Sequence, residues 1–251
     1  MTHPAVPCVL ILGGTGEARR LAAALGARPD LRVVSTLAGR VRAPRLPAGE
    51  VRVGGFGGPA GLAGWLRAER VSAIVDATHP FAERITASAA EAAEATGIPI
   101  LRLRRPGWVA RPGDDWRWVD SLAAAAALLP DTGRRAFLTT GRQGLAAFAG
   151  LDAVWFLIRC VDEPGPPLPK RRLLLLGRGP YTVDGELGLL RAHRIDLLVS
   201  KDSGGEQTVA KLGAARELGL PVIMVRRPPE PDLPAVPTAG AVLRWLDTVV
   251  R

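Results

Sequence analysis

Val9-Leu10-Ile11-Leu12-Gly13-Gly14-Thr15-Gly16-Glu17-Ala18 reads as a buried strand, a glycine turn and the start of a helix. Glycines let a backbone turn sharply and come close to a ligand, and the free N–H groups of a helix N-terminus attract an anion such as a pyrophosphate. The spacing departs from G-x-G-x-x-G. Counted from Gly14, the third glycine position holds Arg19; counted from Gly13, the run is GGTG with Ala18 as the small residue. The G-K-[ST] ending of an ATP-binding P-loop is absent. Gly13, Gly14, Thr15, Gly16 and Glu17 are thus candidate dinucleotide contacts, the plain alternative being a strand-to-helix turn with structural glycines.

The next strand sharpens this reading. A dinucleotide fold that prefers NAD places a carboxylate about 20 residues past the glycines, where it binds the ribose hydroxyls. Here that region reads Val33-Val34-Ser35-Thr36-Leu37-Ala38-Gly39-Arg40, with hydroxyls and an arginine but no acid. A carboxylate would repel a 2′-phosphate, whereas Ser35, Thr36 and Arg40 would attract one. NADPH is the expected cofactor, against the plain reading of Arg40 as a solvated loop arginine.

Further out, short apolar strands alternate with helices. The pattern predicts strands at 8–12, 31–36, 50–53, 73–76 and 98–103 and helices at 17–25, 59–69 and 82–96; a short strand at 116–119 begins a crossover. A second series follows: strands at 135–139, 154–159, 195–200 and 221–225, helices at 145–148, 183–192, 208–218 and 239–249, and a proline-rich loop at 163–169. The expected fold is α/β, two Rossmann-like three-layer domains with parallel sheets. They divide near residue 125, with 1–125 binding the cofactor, 126–251 contributing to the substrate site and the last helix packing back on the first. Composition agrees: 251 residues, 47% hydrophobic and 23% charged, allow real cores and argue against disorder. No stretch reaches the length of a membrane span, and the first residues lack a basic leader region. Cys8 and Cys160 sit in predicted buried strands without metal-ligand spacing, so a reduced cytoplasmic protein without a metal is expected.

The net charge of +9 is carried almost wholly by arginine, since only Lys170, Lys201 and Lys211 of the 33 basic residues are lysine. Genome composition explains part of this; the rest suits a phosphorylated cofactor, a polycarboxylate or nucleic acid. Three strand-end segments carry the remaining candidates. In Asp76-Ala77-Thr78-His79-Pro80, Thr78 and His79 would face the cofactor, His79 also serving as a proton donor, unless the histidine merely caps or packs. In Thr139-Thr140-Gly141-Arg142, backbone N–H groups and Arg142 would grip a carboxylate, unless Thr140 is an ordinary helix cap. In Lys201-Asp202-Ser203-Gly204-Gly205, Lys201 would donate a proton or bind an anion, the alternative being a surface ion pair. A Tyr-x-x-x-Lys pair, a G-x-S-x-G elbow and a zinc cluster are all missing.

Together, GGTGEAR at the first turn, ATHPFA, TTGR, GPYT around Tyr181 and SKDSGG, in this order over almost the whole chain, resemble the precorrin-6A reductase family of cobalamin biosynthesis. The resemblance implies NADPH as reductant without flavin, and reduction of one ring double bond of precorrin-6A to give precorrin-6B. It also implies a substrate bearing many carboxylates, in keeping with the arginine excess. Hydride would pass to a ring carbon conjugated to a protonated imine, with Lys201, His79, Tyr181 or water giving the proton. Thr140, Gly141, Arg142, Lys201, Asp202 and Ser203 would hold the macrocycle, placed between the domains. Two rivals stay open: the cobalt-containing precorrin of the anaerobic route, and a non-catalytic NADPH-sensing or nucleic-acid-binding protein. Against the latter, the basic residues are scattered and no nucleic-acid motif is present. The expected partner is therefore a small tetrapyrrole, with neither nucleic acid nor membrane.

Overall fold

A computed structural model describes residues 6–39 and 45–250, and Arg40 lies outside them. The chain starts with β1 (Cys8–Leu12), α1 (Gly16–Gly26), β2 (Arg32–Leu37), β3 (Glu50–Val53), α2 (Pro59–Ala68), β4 (Val71–Asp76), α3 (Glu83–Thr96) and β5 (Ile100–Leu103). It continues through β6 (Trp116–Val119), α4 (Leu122–Thr132), β7 (Arg135–Leu138), β8 (Trp155–Cys160), β9 (Arg172–Leu176), α5 (Val183–Ala192), β10 (Leu197–Lys201), α6 (Ala210–Glu217) and β11 (Val222–Val225), and ends with β12 (Ala235–Val236) and α7 (Ala239–Val249).

The strands form two six-stranded sheets, both parallel throughout, in the orders β12-β5-β4-β1-β2-β3 and β6-β11-β10-β7-β8-β9. Each sheet belongs to its own compact unit. The first comprises Met1–Arg105 with Pro228–Arg251, the second Pro106–Arg227. In both units the order reverses beside the first strand of the series, β1 in one and β7 in the other. The chain leaves β1 and β4 for helices on opposite faces of the sheet, and the matching point of the second sheet lies between β7 and β10; ligands of open α/β sheets bind at the carboxyl ends of such strands.

The continuous apolar run of β1 follows from helices covering both faces of its sheet. All five of its residues are buried, and alternate side chains enter opposite layers. Val9 and Ile11 pack with Leu21 and Leu25 of α1 and Val242 and Leu246 of α7; Leu10 and Leu12 pack with Leu62 and Leu66 of α2 and Ala89 of α3. Each such buried aliphatic side chain contributes about 1.5–3 kcal/mol relative to exposure. In the second unit, Phe137, Leu157, Leu198 and Met224 from the sheet pack with Leu187 and Leu190 of α5 and Leu212 of α6.

The division of the chain differs from the single boundary near residue 125. β6 is the edge strand of the second sheet, in register with β11 from Trp116↔Val222 to Val225↔Val119. The first unit recovers a sixth strand only from β12, which pairs with β5, followed by α7. Leu122–Thr132, an alanine run with no polar–apolar period, is a helix capped by the Ser121 hydroxyl, which accepts from Ala124 N at 3.0 Å. Residues Leu145–Phe148 make one 3-10 turn rather than an α-helix. Among the described residues, no helix is long and apolar enough to cross a membrane.

Candidate functional site

In the first unit, the crevice between β1 and β4 is bordered by the glycine turn on one side and Ala77–Pro80 on the other. Gly13 donates its N–H to the Thr36 carbonyl at 3.0 Å, and a Cβ there would stand 3.0 Å from that oxygen, so the close approach of the two strands favours glycine. Gly14 has φ +107°, a conformation side chains rarely adopt, and none of the described residues lies within 4 Å of where its Cβ would be. The turn therefore opens above Gly14 onto the N-terminus of the 11-residue α1, whose dipole favours an anion. This shape and charge fit the pyrophosphate of a dinucleotide. Thr15 is buried and caps α1: its hydroxyl accepts from Ala18 N at 3.0 Å and donates to the Ala77 carbonyl at 2.8 Å, tying the two walls together. Gly16 begins the helix.

The opposite wall hangs from Asp76, whose side chain is fully enclosed. Its Oδ1 accepts from Thr78 N at 3.1 Å and the Thr78 hydroxyl at 2.6 Å, while Oδ2 accepts from the Thr86 hydroxyl at 2.8 Å and Arg102 Nε at 3.3 Å. Arg102 also pairs with Glu230 at 2.7 Å, and Arg104 meets the same carboxylate at 3.0 Å. His79 is exposed at the tip, its Nδ1 accepting from Phe81 N at 3.2 Å, so the neutral ring carries its proton on Nε2. A small pocket between these walls is lined by Thr15, Glu17, Thr78, Pro80, Arg102 and Arg105, among others. Glu17 lies 2.6 Å from Arg105. Burial pushes its carboxyl up, but Arg105 with its hydrogen bond and the nearby Arg20 outweigh burial and hold it below the usual range.

In the second unit the corresponding crevice lies between β7 and β10. Thr139 bonds the Val199 carbonyl through both N–H and hydroxyl at 3.0 Å, so the loop after β7 leaves beside β10. Thr140 is buried, its hydroxyl without a hydrogen-bond partner among the described residues. Gly141 turns the chain at φ +76°. Arg142 sits near Cys160 at the end of β8: burial raises that thiol to about 11, and Arg142 pulls the other way. Lys201 and Ser203 are half-buried at the end of β10. Asp202 is turned inward, accepting from Trp108 N at 2.9 Å and pairing with Arg227 at 3.4 Å. Gly107 and Gly204 let Pro106–Trp108 close on this turn, since a Cβ on either would strike Asp202 or the Pro106 carbonyl. Tyr181 is half-buried; burial, with Glu186, raises its phenol, and Arg159 opposes them.

The family model described as "Precorrin-6x reductase CbiJ/CobK" matches residues 8–247. The chain belongs to the precorrin-6x reductase family. It is 60% identical over 247 residues to a protein named precorrin-6A reductase from Rhodococcus erythropolis, covering 97% of this chain and 98% of that one. A protein of the same name from Mycobacterium tuberculosis (strain ATCC 25618 / H37Rv) is 52% identical over 240 residues, 95% of this chain and 96% of the relative. The solved structure titled "CobK precorrin-6A reductase" superposes with a TM-score of 0.91 at 43% identity, covering 96% of each chain.

Within this reductase the residues singled out from sequence divide in two. Gly13, Gly14, Gly16, Thr78 and His79 gather at the first crevice, and Thr140, Gly141, Arg142, Lys201 and Ser203 at the strand ends of the second. Thr15, Glu17 and Asp202 are held in internal contacts that shape these loops. Ser35 and Thr36 lie inside β2, buried because both faces of that strand are covered; the Ser35 hydroxyl has no partner among the described residues, and that of Thr36 bonds the Ile11 carbonyl at 3.5 Å. The Asp76–Arg102–Glu230 network went unnoticed in the sequence, although an acid ending a strand before Ala-Thr-His was a usable signal. Trp108 and the buried charges around it left none.

Proposed function

We propose that this protein is an NADPH-dependent precorrin-6A reductase of cobalamin biosynthesis, acting on a metal-free, carboxylate-rich tetrapyrrole to give precorrin-6B. What carries the reading is the glycine turn with open space above Gly14 at the N-terminus of α1, at the point where the strand order of the first sheet reverses. Gly14 and Gly16 would hold the pyrophosphate by backbone N–H groups, with Gly13 shaping the turn through its bond to Thr36, and Thr78 and His79 would border the nicotinamide. NADPH supplies a hydride when bound. With Ser35 and Thr36 enclosed, selection of the 2′-phosphate rests on Arg40 and on the lack of an acid over Leu37–Gly39.

The chain's own part is to orient substrate and move a proton. Arg142, the N–H groups about Gly141, Lys201 and Ser203 receive substrate carboxylates. Lys201 would also give the proton that completes reduction; its position at the end of β10, half-exposed, supports that role. His79, with its proton on Nε2, and Tyr181, whose raised phenol keeps its proton at neutral pH, are the other donors.

The test is a spectrophotometric assay of precorrin-6A reduction with NADPH and with NADH. Turnover with a clear NADPH preference is expected, and Arg40→Ala should erode the preference by about tenfold, the size of one charge-assisted contact. Equal use of both cofactors, or turnover only with the cobalt-loaded substrate, would overturn the corresponding part. Wild-type turnover in Lys201→Ala and in His79→Ala would remove both from the proton step.

A further inference from the structure

In the second unit two buried charged side chains and a third that is largely enclosed come from three elements. Lys211 on α6 is 3% exposed and Glu186 on α5 is 2% exposed, while Arg159 on β8 lies 2.6 Å from Glu186 Oε1. Glu186 stands in the first turn of α5, where the helix dipole supports its charge, yet its Oε2 has no hydrogen-bond partner among the described residues. Burying a lysine, an arginine and a glutamate is poor economy for stability alone, because apolar replacements usually serve as well or better.

The cluster's outer contacts explain what it supports. The Arg159 guanidinium lies 3.7 Å from the centroid of the Tyr181 ring, and Lys211 Nζ lies 4.8 Å from that of the Trp108 ring. Those two residues hold the segment that follows Lys201. Trp108 donates its N–H to Asp202 at 2.9 Å and its ring Nε1–H to the Gly205 carbonyl at 3.4 Å, and Tyr181 donates its N–H to the Gln207 carbonyl at 3.3 Å. Each aromatic residue that fixes this segment is thus faced by a cation of one buried cluster.

We propose that Lys211, Glu186 and Arg159 form a positioning cluster for reduction, setting the Lys201–Gly205 turn through Trp108 and Tyr181 so that it receives the anionic substrate. The inference rests on the reading that Lys201 and Arg142 contact that substrate. Burial, and then the like charge of Arg159, lower Lys211 to about 7, while Glu186 draws it back up. The groups facing it are Arg159 from β8, Glu186 from α5 and the Trp108 ring. Its charge therefore changes in the neutral range. When charged, Lys211 is drawn to the Trp108 face and to Glu186, the arrangement that steadies the turn; when neutral, it releases both.

The test compares the wild type with Lys211→Met, Lys211→Arg, Lys201→Ala and Arg142→Ala, measuring KM for precorrin-6A, kcat and the NADPH dissociation constant from pH 6 to 9. Wild-type KM is expected to rise with pH through about 7. In Lys211→Met it should be flat and raised about tenfold at pH 6, with far smaller changes in kcat and NADPH affinity. Lys211→Arg, which stays charged, should keep the low KM up to pH 9. A wild-type KM profile in Lys211→Met, or the same rise in Lys211→Arg, overturns the proposal. If Lys201→Ala raises KM while Lys211→Met does not, the cluster inference alone falls; if Lys201→Ala and Arg142→Ala both leave KM unchanged, the substrate reading falls with it. Should Lys211→Met not fold, Glu186→Gln keeps the shape and must move the KM inflection to lower pH. An unmoved inflection is equally fatal.

Discussion

The two units wind their strands alike but prepare for anions by different means. After β1 the first unit enters an 11-residue helix whose N-terminus opens over Gly14, so the backbone itself supplies donors. After β7 the second unit has only the 3-10 turn at Leu145–Phe148, too short to build a comparable dipole, and Arg142 and Lys201 stand at its crevice. The fourth strands agree more closely: β4 ends in Asp76 and β10 is followed by Asp202, each paired with an arginine from or just after the fifth strand, Arg102 at 3.3 Å and Arg227 at 3.4 Å. A shared scaffold thus ties down one loop in each unit, and on the proposed assignment the first-strand loop would decide which ligand is taken. Backbone donors suit an invariant pyrophosphate; long cationic side chains suit carboxylates spread around a ring.

The comparison can be broken at four points. Asp76→Ala should have the largest effect, about 3–5 kcal/mol off the unfolding free energy, because it leaves Arg102 and two threonines without their buried acceptor; Asp202→Ala, in a less enclosed site, should cost less in the same denaturant titration. Next comes pH. Lys211 is lowered to about 7 from 10.5, so the unfolded chain binds more protons between those values and stability should rise with pH across that window. Melting curves should show a gain of a few kcal/mol that Lys211→Met abolishes. Third, Gly14→Ala strains a turn at φ +107° by about 1–3 kcal/mol, and relaxing it moves the N–H groups. Fluorescence titration should find NADPH held about tenfold more weakly. Smallest, Arg142→Ala should raise KM for the tetrapyrrole about tenfold or less and leave NADPH binding alone. A reciprocal result, with Gly14→Ala acting on the tetrapyrrole and Arg142→Ala on NADPH, would reverse the assignment of the units.

Much of this was legible in the residues. β1, β4 and β10 are buried runs that end in or just before glycine, threonine and histidine, or lysine, so a place for each crevice could be read from local pattern. What failed was non-local. Trp116-Arg117-Trp118-Val119 reads as a strand, but nothing within four residues says that it joins β11. β12 is two residues long, and the edge strand β9 follows a proline-rich loop that masked it. Ser35 and Thr36 looked available for a phosphate because hydroxyls at a strand end resemble exposed ones until both faces are covered. Lys211 in Ala-Lys-Leu-Gly and Glu186 in Asp-Gly-Glu-Leu have the appearance of solvated helix charges; only packing shows them enclosed.

The return of the chain through β12 and α7 bears on synthesis. A ribosome that has delivered residues up to 227 has released every strand of the second sheet, whereas the first still lacks its outer strand and the helix carrying Val242 and Leu246. The first unit is completed only by the last 24 residues, Pro228–Arg251, so the second unit is expected to mature first. Protease pulses on stalled nascent chains should find 106–227 protected while 6–105 is still cleaved, and the opposite order would refute this sequence of maturation.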